Sequence, residues 1–339
     1  MTLEPRLSLA SWDDAERLFR SRREALVPIG QPLVLVSQLQ RCGGTLLNTL
    51  LDGHPELHVH PYEVLIGHPS KYDWPELDLA GGADAWLDVL REPRVARLFE
   101  EGYSKVGGNE ALREAEPLPF TVVPSLLEAL FRVLCEEREP ATARAVLDTY
   151  FTAFFNAWLD CTELRREPKR WVAGFGPRLA WGESRPRFFA DYPDGRLIAI
   201  LRDPRGWYAS ASVFSARYGE RESALELWRQ GANEIAAAKA EAPDRVLVLS
   251  YEALVRAPEP TMRAVAHWLD IAWHPGLLVP TFNRIPTVAN SSYSIGEAGI
   301  HADLADRWRT TLAAEDVALV EEALLPLHEE VSSLVDVSG

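Results

Sequence analysis

Four short apolar runs punctuate this chain, at spacings that leave room for helices between them. Leu33-Val34-Leu35-Val36, Trp171-Val172-Ala173-Gly174, Leu197-Ile198-Ala199-Ile200-Leu201 and Val246-Leu247-Val248-Leu249 show no polar alternation. That is the pattern of strands covered on both faces of a parallel sheet. A fifth, weaker strand is predicted at Leu57 to Val59, followed by a loop rich in His and Pro. Between these runs the period lengthens to that of helices, predicted at about Thr45–Asp52, Pro204–Tyr218, Ser223–Ala242 and Pro258–Leu269. Gly53 and Pro55 stop the first of them, and Asp203 with Pro204 suits the N-cap and first turn of the second.

From about Asp84 to Cys161 the pattern is helical throughout. One amphipathic stripe is marked by Val122, Leu126, Leu127, Leu130, Phe131 and Leu134, another by Val146, Tyr150, Phe154 and Trp158. Lys105 to Pro119, with Gly107-Gly108 and two prolines, reads as a mobile loop able to act as a lid over an acceptor pocket. Strands alternating with helices predict an α/β fold, a mainly parallel sheet of about five strands flanked by helices. The whole of residues 1–339 is read as a single domain, with an N-terminal helical extension over about 1–30 and a helical insertion over about 84–161.

Composition narrows the function more than the fold. The 339 residues are 47% hydrophobic, enough for a sizeable core, and carry 35 basic against 50 acidic residues, a formal net charge of −15. Such a field repels nucleic acid and anionic membrane surfaces at long range, so no nucleic acid partner is expected. Any anion bound here must be held by local arginines and helix N-termini. No apolar run is long enough for a membrane span, and the charged N-terminus lacks the apolar core of a secretory signal. Three widely spaced cysteines, Cys42, Cys135 and Cys161, suggest reduced thiols and a cytoplasmic setting. The eight histidines show no metal-ligand spacing, so no metal is expected.

Two segments carry the chemistry. In the first, strand residues run into Ser37-Gln38-Leu39-Gln40-Arg41-Cys42-Gly43-Gly44-Thr45. The glycines let an anion approach the backbone, and the helix behind them offers N–H groups with no helical acceptor. The Gly-Lys-Ser/Thr that would reach outer phosphates and hold magnesium is missing. In the second, the strand ends in Arg202-Asp203-Pro204-Arg205, with Ser210 eight positions after Arg202. A guanidinium holds phosphate bidentately and a helix hydroxyl adds a donor.

Together these segments resemble the two nucleotide-binding elements of the P-loop-like sulfotransferases that use 3′-phosphoadenosine 5′-phosphosulfate (PAPS). The resemblance places Arg41, Cys42, Gly43, Gly44 and Thr45 at the 5′-phosphosulfate loop, and Arg202 and Ser210 at the 3′-phosphate. Arg41 falls at the family's basic position and Thr45 at its second threonine, but Cys42 replaces the usual serine and Gly44 the first threonine. The resemblance also reaches Val248 to Leu254 with Pro258-Glu259, and the run Pro286-Thr287-Val288-Ala289-Asn290-Ser291-Ser292 leading to Arg307-Trp308-Arg309, as in bacterial and Golgi-type members.

It implies transfer of a sulfuryl group to an acceptor hydroxyl or amine on a small molecule, glycan or lipid. Arg41 would stabilise the leaving group, and the base would be Glu63, with His60 as its rival. Two other classes stand beside this reading. One is a catalytically silent nucleotide-binding scaffold, which the two missing hydroxyls favour; the other is a magnesium-dependent phosphotransferase, which the missing lysine disfavours. The acceptor and the oligomeric state are not legible in the chain.

Overall fold

The computed structural model describes residues 11–67, 72–92, 97–98, 100–103, 116–166, 168–214, 220–288 and 291–337. Five strands, β1 (Leu33–Val36), β2 (Leu57–Glu63), β3 (Trp171–Phe175), β4 (Arg196–Leu201) and β5 (Val246–Ser250), form one sheet in the order β2-β3-β1-β4-β5. Every pairing in it is parallel. β1 and β3 are buried at every position, which is why they read as unbroken apolar runs.

Helices α1 (Trp12–Glu24), α2 (Gly44–Leu51), α3 (Gly82–Leu90), α4 (Pro124–Arg138) and α5 (Ala143–Ala157) precede β3. After it come α6 (Ser184–Asp191), α7 (Pro204–Phe214), α8 (Arg221–Glu241), α9 (Tyr251–Arg256), α10 (Pro258–Trp268), the short α11 (Trp308–Thr311) and α12 (Ala314–Ser332). Their starts have local causes. Ser11, Thr142 and Ser250 each accept a backbone N–H at the N-terminus of α1, α5 and α9, while Pro124 and Pro258 open α4 and α10.

Among the described residues, α3, α4 and α5 lie between β2 and β3, with α4 packed on both α3 and α5 and its apolar stripe buried. The Gly/Pro stretch read as a lid lies mostly outside the described residues, as does the predicted end of α7. β2 corrects the sequence reading. It continues through His60-Pro61-Tyr62 to Glu63 instead of ending at Val59, so the residues assigned to a loop belong to a strand. Its pairing with β3 shifts between Val59 and Glu63, and β2 is an edge strand, the setting in which a proline is tolerated. At the other edge the tail after α12 covers β5: Asp336 N–H donates to Val248 O (2.9 Å) and Val248 N–H to Asp336 Oδ2 (2.8 Å). Among the described residues no helix is long and apolar enough to cross a membrane.

Candidate active site

β1 and β4 are neighbours, yet the chain leaves β1 toward β2 on one side and β4 toward β5 on the other. Their carboxyl ends therefore part, which makes a crevice at the point where the winding reverses. A cleft holding about 900 Å³ of empty space, partly open to solvent, lies there. Its floor is the β1–α2 loop: Gln40, Arg41, Gly43, Gly44, Thr45 and Leu46. Glu63 from the end of β2, Phe175 from the end of β3, Arg202 after β4, Ser210 on α7 and Tyr251 on α9 form the walls, and Ser291, Ser292 and Tyr293 close one side.

The loop is shaped by backbone that few residues adopt. Arg41 (φ 70°) and Gly43 (φ 95°) lie in the left-handed region. A Cβ at Gly43 would fall 2.7 Å from Tyr251 Cδ2, and one at Gly44 only 2.0 Å from Gln38 Nε2 and 2.3 Å from Phe175 Cε2. Glycine at 44 therefore has a packing cause, since Gln38 and Phe175 fill the volume that a threonine would need. The first helical bond of α2 runs from Leu47 N–H to Gly43 O (3.0 Å), so the N–H groups before it face the cleft end of the helix. Two clamps hold the loop carbonyls: Trp207 Nε1 donates to Gln40 O (2.8 Å) and Arg202 Nη1 to Arg41 O (2.6 Å). Cys42 is buried, does not line the cleft, and has its thiol pushed up to about 12 by that burial.

Both arginines named from the sequence reach this cleft, together with Ser210. Arg202 is only 4% exposed, stacks 4.1 Å above the Tyr251 ring, and keeps an Nε with no hydrogen-bond partner among the described residues. Arg41 donates from Nε to Ser210 Oγ (3.4 Å) and from Nη2 to Ser292 Oγ (2.5 Å). Ser210 Oγ and Ser292 Oγ are 3.0 Å apart, and Ser292 donates its proton to Ser210 O (2.7 Å). The remaining arginines of these segments are committed elsewhere. Arg205 pairs with Asp203 and Glu321, tying α7 to α12, while Arg307 and Arg309 pair with Asp303 and Asp306.

The two candidate bases are separated by the structure. Glu63 lies in the register row of Phe175 and Val36 at the carboxyl edge of the sheet and lines the cleft. His60 is fully buried, absent from the cleft wall and stacked 4.7 Å from Phe154. Its Nε2 meets Glu92 Oε1 at 3.2 Å and its Nδ1 meets Tyr62 O at 2.9 Å. Burial opposes protonation of this ring, but the Glu92 carboxylate and the bonds to Glu92 and Tyr62 win, and its pKa stands above the ordinary histidine value. Tyr150 Oη (2.9 Å) and Leu65 N–H (2.9 Å) complete the shell of Glu92.

Sequence reasoning passed over Phe175 and Ser292 in the cleft wall, and Gln38 packed behind Gly44. Ser292 lay in a segment whose likeness to the family was noted without a role, and the carboxyl end of β3 pointed to Phe175 by the general rule that ligands bind at that edge. Nothing local marks Gln38.

A sequence profile of the sulfotransferase family matches residues 32–275. None of the curated proteins matches the chain. Among solved structures, the sulfotransferase domain from the curacin biosynthetic pathway is 18% identical, with 88% of this chain and 99% of that one covered and a TM-score of 0.45. The sulfotransferase domain of the Synechococcus PCC 7002 olefin synthase is 19% identical over 87% and 95%, with a TM-score of 0.45. A Mycobacterium avium sulfotransferase is 15% identical over 96% and 80%, with a TM-score of 0.44. The profile match takes in all five strands and both anion-ready turns, and with it the chain belongs to the sulfotransferase family.

Proposed function

We propose that this sulfotransferase takes its sulfuryl group from PAPS and passes it to an acceptor hydroxyl or amine. The observation that carries the reading is Arg202: nearly buried, with one nitrogen fixed to the loop carbonyl of Arg41 and another without a partner, in the wall of a cleft it shares with Ser210. A buried, unsatisfied cationic donor is costly unless an anion completes it. The glycine floor and the N-terminus of α2 suit the 5′ end of such a nucleotide, and Arg202 with Ser210 suits a 3′-phosphate.

When bound, PAPS supplies the sulfuryl group and leaves as the 3′,5′-bisphosphate. On this reading Glu63, at the cleft wall, takes the proton that the acceptor must lose. Arg41, held between the loop and Ser210, neutralises charge growing on the oxygen left behind. His60, buried against Glu92 and outside the cleft wall, takes no part in the transfer on this reading. The acceptor is a small molecule, glycan or lipid, and the three free thiols suit a cytoplasmic enzyme.

Arg202→Ala tests the reading. Because Arg202 also clamps the loop, some loss is expected for any nucleotide, and the difference between two ligands is the readout. In calorimetry the variant should lose roughly 10- to 100-fold in affinity for 3′,5′-adenosine bisphosphate, the range of a charge-assisted contact, and much less for 5′-AMP. Equal losses for both ligands would remove Arg202 from a 3′-phosphate site.

A further inference from the structure

Gln38 is fully buried at the start of the β1–α2 loop, and neither its Nε2 nor its Oε1 has a hydrogen-bond partner among the described residues. A buried amide normally satisfies both ends, because each orphaned end costs about 1–3 kcal/mol. This one stands against the first residue of α2. The Cβ that Gly44 lacks would lie 2.0 Å from Gln38 Nε2, so the amide nitrogen occupies the space from which a hydroxyl-bearing side chain at 44 would act. Gly44 lines the cleft and Gln38 stands directly behind it, outside the lining, so that only the bare Cα of the first residue of α2 separates the amide from the helix N-terminus where an anion would rest. The glycine and the glutamine thus fit as a pair, one removing a side chain and the other supplying an N–H donor in its place.

We propose that the side-chain amide of Gln38 is a donor to the 5′ oxyanion of the nucleotide, replacing the hydroxyl missing at Gly44. The inference rests on the nucleotide reading above and assigns a contact that the loop pattern alone does not contain. It makes Gln38 a binding residue with a ligand signature: its contribution follows the 5′-phosphate and is indifferent to the 3′-phosphate.

The test compares Gln38→Met, which keeps length and removes the donor, with the unaltered chain, binding 3′,5′-adenosine bisphosphate and adenosine 3′-monophosphate in calorimetry. Gln38→Leu serves as the second apolar variant if the first fails to fold. The expected result is about a tenfold loss for the bisphosphate, none for the 3′-monophosphate, and an unchanged or higher melting temperature, since an orphaned polar group has been removed. Gln38→Glu, with a buried carboxylate facing the anion, should lose more. Equal affinities of Gln38→Met and the unaltered chain for the bisphosphate, or equal losses for both ligands, overturn the assignment of Gln38 alone. Failure of the unaltered chain to bind either nucleotide overturns the nucleotide reading and this inference with it.

Discussion

Behind β2, His60, Glu92 and Tyr150 form a polar cluster with its donors and acceptors matched: Glu92 accepts from the imidazole, the phenol and a backbone N–H, and the second ring nitrogen meets a carbonyl. At the carboxyl ends of β1 and β4, the buried Gln38 and Arg202 and the half-buried Gln40 have shielded side-chain atoms left over. Both regions hold shielded polar and ionisable groups. What separates them is satisfaction together with an opening. His58 Nε2 and Trp158 Nε1 are orphaned too, but His58 and Trp158 border a much smaller void of about 270 Å³, which Asp52 and Gly53 line at the C-terminal end of α2. Among the described residues, unsatisfied donors, a helix N-terminus and an open volume coincide only at the cleft. Burial of a titratable residue is thus a poor guide to chemistry, and unfinished hydrogen bonding beside a cavity is a better one.

The sharpest way to break this comparison is to disturb the satisfied cluster. His60→Asn leaves Glu92 as a buried charge without its imidazolium, a change that typically costs about 3–5 kcal/mol, and the denaturant midpoint should fall accordingly. The sign of the pH dependence follows from the raised pKa. The stabilisation is whole below the ordinary value of 6.5 and is lost as pH rises through the higher folded value, so the gap between the two proteins should narrow above pH 6.5. His58 works in the opposite direction. Burial lowers its pKa to about 3, so its contribution is lost as pH falls below 6.5, and only the difference between unaltered protein and His60 variant isolates the pair. An unchanged midpoint would mean that the cluster is not the structural element described here.

Glu63→Gln probes the other region. The substitution keeps shape and removes proton affinity, so turnover should fall by about 10² or more while the melting temperature and affinity for the bisphosphate stay close to normal. A variant that retains turnover across pH 6 to 9 would return the base to some other group in the cleft wall. Paired with His60→Asn, this gives opposite signatures for two residues that the sequence could not tell apart: stability without chemistry, and chemistry without stability.

That ambiguity shows what a sequence can hold. The strands were legible because burial on both faces leaves only apolar residues in them, and the anion-ready turns because glycine, arginine and the register from Arg202 to Ser210 are local. β2 was cut short because its second half is polar, contains Pro61 and is out of register, features that read as a loop until β3 is seen beside it. The identity of His60 depended on Glu92 and Tyr150, which come from distant parts of the chain, and no local pattern announces such a pairing. α12 was also missed. Its apolar face is interrupted by acidic residues and by Pro326, and it is placed by packing against α7 and α8.

The smallest effect expected is also the one whose sign is least intuitive. Ser292 lines the cleft, yet its single proton is directed to Ser210 O, so toward Arg41 and Ser210 its oxygen acts as an acceptor. An incoming anion competes with that oxygen for the same two donors. Ser292→Ala removes the competitor and leaves Arg41 and Ser210 each with one acceptor fewer in the free protein, which raises the energy of the unliganded state more than that of the complex. Affinity for 3′,5′-adenosine bisphosphate should therefore rise by a few-fold, within the roughly 0.5–1.5 kcal/mol of an ordinary hydrogen bond. Calorimetry distinguishes the two roles by sign. Weaker binding would mean that the hydroxyl turns its proton to the ligand and joins Ser210 as a proposed donor, whereas tighter binding marks it as an internal stand-in for the proposed anion.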